Sequence, residues 1–131
     1  MKRLFTLAAL ALACSAAAYG QEHHHHGGAA ETAELKPFEA STAKSFAVLM
    51  DEAMAIMDQG MQRAPMNGEA DHDFVTMMIP HHQGAVDMAK AVLLYTRDPA
   101  MRNLAQGIIT EQQYEIQLMQ TWLEQHKKGP Q

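Results

Sequence analysis

Between Met77 and Met88 the chain sets three methionines, two adjacent histidines and a proline into one short stretch, Met77-Met78-Ile79-Pro80-His81-His82 continuing to Met88. Thioethers are soft ligands and imidazoles borderline ones, so this mixture suits Cu(I) or Ag(I) better than Mg, Ca or Mn, which want oxygen. Structural zinc would want thiolates or more histidines. A di-iron carboxylate centre needs several inward carboxylates, and only Glu115 is well placed for that. No Ser-His-Asp, phosphate-loop or thiol constellation stands out, so the expected activity is binding without turnover. The bland reading of any one methionine is core packing, and that of a lone helical histidine is a satisfied core group.

The stretch must be carried by a helix running from about Asp71 to Arg97. At 100° per residue Phe74, Met77, His81, Gly84, Ala85, Met88, Val92 and Tyr95 share one sector. Val75, His82, Val86, Ala89 and Leu93 share the next, and Thr76, Gln83, Asp87 and Lys90 form a narrow polar strip. Two apolar faces predict a central helix flanked on both sides. Pro80 interrupts its hydrogen bonding at a cost of about 3 kcal/mol in a regular interior. Placed directly before His81 and His82, that cost reads as shaping a site.

Helix one is expected over about Phe38 to Arg63, with Ser41 or Thr42 able to cap a later start. Phe46, Met50, Met54, Met57 and Met61 follow spacings of 4, 4, 3 and 4, a single helical face. Ala64-Pro65-Met66-Asn67-Gly68 stops it. Asp98 as N-cap and Pro99 at the first position open helix three. Its apolar face contains Gln112 and Glu115, and a buried carboxylate there needs a partner. Short turns predict antiparallel neighbours. Equal distances from a turn at Arg97 then put His81 level with Gln112 to Glu115, and Met77 one turn from Met119. Equal distances from Asn67 put His81 level with Ala53 and Met54, with Met50 and Met57 a turn to either side. Methionine stripe, Pro-His-His step and Gln/Glu pair thus converge on one expected layer. Which of His81 and His82 is the ligand stays open.

Residues 1–20 read as a signal peptide: Lys2 and Arg3, an apolar run from Leu4 to Ala13, and Ala18-Tyr19-Gly20 before the cut. Cys14, after Ala11-Leu12-Ala13, offers lipoprotein processing as the minor alternative. Cleavage after Gly20 leaves eight basic residues against fifteen acidic ones, a net charge of −7. That balance disfavours nucleic acid and anionic membranes as partners and is compatible with cations. No later stretch is apolar enough to span a membrane. The remaining chain lacks cysteine but keeps ten of the eleven methionines, and in an oxidising compartment a thioether stays available as a ligand where a thiolate is at risk. Residues 21–37 read as a disordered arm whose His23, His24, His25 and His26 would collect metal loosely. If Gln21 becomes the amino terminus, His23 in third place suits Cu(II) or Ni(II).

Asp71, Phe74, Met78-Ile79-Pro80-His81-His82, Ala85 and Met88-Ala89, followed by Ile109, Gln112, Glu115-Ile116, Met119 and Trp122-Leu123, resemble the family known as domain of unknown function three hundred and five. The likeness covers about residues 44 to 126, and members include exported copper-binding proteins of the CopM type. It implies a ferritin-like helical bundle, a periplasmic location and copper or silver binding in metal resistance. By carry-over Met78, His81, His82, Met88, Glu115 and Met119 are the functional positions; the layer described above adds Met54, Met57 and Met77. The expectation is an all-α, up-down antiparallel bundle over residues 38–128. It would have three long helices, with a short fourth segment or a dimer partner completing four. It would be periplasmic or secreted, binding Cu(I) or Ag(I) for sequestration or chaperoning and exchanging metal with an exported or membrane copper-handling protein. The alternative is a helical interaction module with a methionine-rich face and merely structural His and Glu contacts.

Overall fold

The computed structural model describes residues 37–127. The signal peptide, Cys14, the histidines of the arm and Gly129-Pro130 lie outside them. Three helices make up the fold: α1 (Phe46–Gln62), α2 (Ala70–Tyr95) and α3 (Pro99–Gln125). None of them is long and apolar enough to cross a membrane. Helix α3 starts where Asp98 and Pro99 require, the Asp98 carboxylate accepting from the amides of Ala100 and Met101. Helix α1 starts later than its apolar pattern suggests. The Ser41 hydroxyl accepts the Ala43 amide at 3.2 Å, a local turn that competes with helix. Ser45 is the N-cap, its hydroxyl accepting the Val48 amide.

Helix α2 is central, with α1 against one flank and α3 against the other; no Cα of α1 comes within 8 Å of one in α3. Neighbours run antiparallel, Phe46 meeting Tyr95 edge-on at 5.8 Å at one end of the α1–α2 pair and Gly60 facing Pro80 toward the other. The core is thin and built largely of small side chains, with Ala53, Ala89, Ala91 and Ala105 buried beside Leu49, Val75, Val86 and Ile116. Small residues let the axes approach closely. A Cβ on Gly60 would fall 2.7 Å from that of Pro80, so the ring that breaks the hydrogen-bond ladder is seated in a notch on α1. Helix α2 stays continuous through Pro80.

The connection between α1 and α2 is held by Asp73. Its two oxygens accept the amides of Asn67 at 2.8 Å and Gly68 at 2.9 Å, and Gly68 takes a positive φ of 84° that favours glycine. The Asn67 amide first, then the His72 ring, hold the Asp73 carboxyl below its ordinary value. The loop is thereby folded back along α2, which corrects the expected register. Pro80 sits opposite Gly60, and Met57 opposite Gly84. His81 is therefore level with the region of Gly60 rather than with Ala53 and Met54. The displacement is roughly six to seven residues, or about 10 Å along the axis.

Candidate metal centre

The two adjacent histidines of α2, His81 and His82, take different surroundings. His82 is buried between α2 and α3, its Nε2 2.7 Å from Glu115 Oε2. With Nε2–H donating to the carboxylate, the neutral ring carries its lone pair on Nδ1. That nitrogen is buried and meets no hydrogen-bond partner among the described residues. Leaving such an atom unpaired costs about 1–3 kcal/mol. A carboxylate on one ring nitrogen and an open lone pair on the other is the arrangement by which proteins orient an imidazole toward a metal.

The His82–Glu115 pair fixes the register of α2 on α3. One turn farther along, Met78 comes level with Met119, and both are half-buried. Helical spacing thus sets an imidazole and two thioethers on adjacent turns of the facing sides of α2 and α3, and Gln112, one turn before Glu115, is half-buried. The expected level of the α2–α3 pair holds, while the residue that makes the contact is His82 and not His81. Among the described residues no three His, Cys, Asp or Glu side chains converge where an ion could sit, so any site here depends on sulfur donors. Glu69 and His72 have the Glu-x-x-His spacing, but Glu69 is the N-cap of α2 and His72 is bonded to Asp73.

Other nominated residues lie elsewhere. His81 is exposed and makes no hydrogen bond within the described residues; its ring lies edge-on beside that of His82 at 5.8 Å. Met77, 40% exposed, opens toward the same side. Met88 lines an apolar cleft of about 220 Å³ with Val92, Met101, Leu104 and Ile108, more than two turns from Met78. Met57 packs over Gly84, where an added Cβ would come within 2.6 Å of it, and Met54 is exposed. Both belong to α1, whose backbone makes no close approach to α3. The single layer expected to be shared by all three helices is accordingly not assembled among the described residues.

Two polar features went unnoticed in the sequence. Asp87 and Thr76, placed on a strip expected to meet water, are buried. The Asp87 carboxylate is satisfied by Gln83 Nε2 at 2.9 Å and Lys90 Nζ at 3.0 Å, an i−4 and i+3 pattern visible in sequence had burial been suspected. A cavity of about 610 Å³ opens at the far end of α2, lined by Pro65, His72, Thr76, Trp122 and His126. There the His126 ring stacks on Trp122 at 4.1 Å and bonds the Trp122 carbonyl.

Residues 15–123 match the model of the family described as Domain of unknown function (DUF305). The chain belongs to this family. The matched span takes in His82, Glu115, Met78 and Met119, so the buried pair and both thioethers lie inside the DUF305 region. Over 57 residues the chain is also 40% identical to the uncharacterized protein L153 of Acanthamoeba polyphaga mimivirus. That stretch is 44% of this chain and 38% of the viral protein, so the likeness is partial in both.

Proposed function

We propose that this DUF305 chain is an exported metal-binding protein that holds Cu(I), and Ag(I) by the same chemistry, between α2 and α3 for sequestration or hand-over. The observation that carries this reading is the buried, unpartnered Nδ1 of His82, whose opposite nitrogen is tied to Glu115. Met78 and Met119, on the adjacent turn, supply thioethers of matching softness. A low-coordinate Cu(I) ion asks for donors of this kind and tolerates a small, apolar cage. Residues outside this interface take other parts. Met57 fills space against Gly84, and the histidines at 23–26 gather metal in the arm. The signal-like first twenty residues support periplasmic or secreted placement, and the sequence resemblance to a family whose members include CopM-type copper-binding proteins supports a role in copper resistance.

Competition titration against a Cu(I)-specific chelator tests the reading. His82→Ala and Met119→Leu should each weaken Cu(I) binding by about 10-fold or more, which corresponds to ~1.4 kcal/mol. Wild-type affinity in both variants, with intact helical circular dichroism, would remove the site. Turnover of oxygen with cuprous or ferrous ions would instead make the protein an oxidase.

A further inference from the structure

One face of the three-helix layer is left bare. On α2, Phe74, Met77, His81, Met88 and Tyr95 form a continuous strip, and no Asp, Glu, Lys or Arg interrupts it. The cleft that joins Met88 to Met101 and Leu104 shows that the apolar edge of α3 opens on the same side. On the other flank, Phe46 packs against Tyr95 and Met57 covers Gly84, so the methionine stripe of α1 continues the face. Phe46, Phe74, Met77, Tyr95, Met101 and Leu104 are each between 40% and 62% exposed. The opposite side of α2 is polar, with Gln83 and Lys90 both bonded to Asp87.

We infer that this face is covered by a second copy of the chain, packed face to face about a two-fold axis so that two three-helix layers enclose one core. Side chains of this size left about half open expose on the order of 100 Å² each, so the patch approaches the ~800 Å² that each partner brings to a standard interface. At roughly 600 Å² for these six side chains it stands at the upper end of what monomers leave bare. The chain's own arm cannot cover it, because residues 21–36 hold one large apolar side chain, Leu35. An identical face matches it in area and brings no charge onto the α2 strip, despite the acidic chain. Two equal faces overlap most when the axis passes through their middle. The middle of α2, which runs Ala70–Tyr95, falls at His82–Gln83, and His81 is the exposed member of the strip beside it, so the His81 rings of the two copies come close to the axis.

This inference goes beyond the copper reading and stands without it, so the test is run in metal-free buffer. The protein, carrying Cys14→Ala, should sediment as a dimer at tens of micromolar. Met77→Glu should weaken the dimer at least 10-fold, and Val48→Glu, an exposed apolar site on the far side of α1, should leave it unchanged. His81→Cys in the same background should form a disulfide-linked dimer on mild oxidation. A monomer at all concentrations overturns the inference. So does a dimer indifferent to Met77→Glu, or one in which the His81→Cys protein fails to cross-link. Circular dichroism of each variant separates lost association from lost folding.

Discussion

The two flanks of α2 use methionine in opposite ways. Against α1 the helices meet through notches, Gly60 for Pro80 and Gly84 for Met57, and the thioether is a flexible filler of an awkward gap. Against α3 the interface holds a buried imidazole with one nitrogen unpaired and a carboxylate half open to water. Sulfur beside such a group has something to share a ligand with. The same residue type, at similar helical spacing, is packing on one flank and, in the function proposed above, donor on the other. What separates them is the polar atom left unsatisfied nearby.

The strongest way to break this contrast is to attack the packing flank alone. Gly84→Val should destabilise the fold by about 3 kcal/mol, since the new Cβ collides with the first atoms of the Met57 side chain. Urea unfolding should show a lower midpoint with an unchanged slope. Next in size, Met78→Leu with Met119→Leu should cost about 100-fold in Cu(I) affinity, ~2.7 kcal/mol, with little change in stability. Met50→Leu with Met57→Leu should leave affinity alone and change stability by less than about 1.5 kcal/mol. Equal losses of affinity in the two pairs would erase the distinction between the flanks. Glu115→Gln should weaken Cu(I) about 10-fold by loosening the His82 ring, measured by the same chelator competition.

The smallest effect concerns the connection. Because the folded Asp73 carboxyl titrates below its ordinary value, its ionised form favours folding. That contribution is complete above about pH 4 and is lost as pH falls through the folded value. Asp73→Asn removes the titration, so its stability should fall less steeply on acidification than that of the wild type, as read by urea midpoints along a pH series.

Much of this was legible in the residues. Asp98-Pro99 announced the start of α3, and the doubly apolar pattern of α2 announced a central helix. Gln112 and Glu115, polar on an apolar face, announced the contact that His82 makes. The site was less legible than the fold. Adjacent histidines on a helix point about 100° apart, and the pattern alone ranks neither. The strip with His81 and Met77 looked as buried as the one with His82, yet it is the exposed one.

The amino-acid sequence by itself determined three helices, the Asp98 cap of α3 and the level at which α2 meets α3. The physical reason is short range: Thr96 to Asp98 is a tight connection held by local hydrogen bonds, so distance along the chain translates directly into height along the axes. Tertiary structure alone decided the placement of α1, because the loop from Arg63 to Glu69 has slack that the Asp73 side chain takes up by folding it back. It also decided which face of α2 is covered. A helical pattern states which residues share a side, and only the packing of the flanking helices states whether that side meets protein or water.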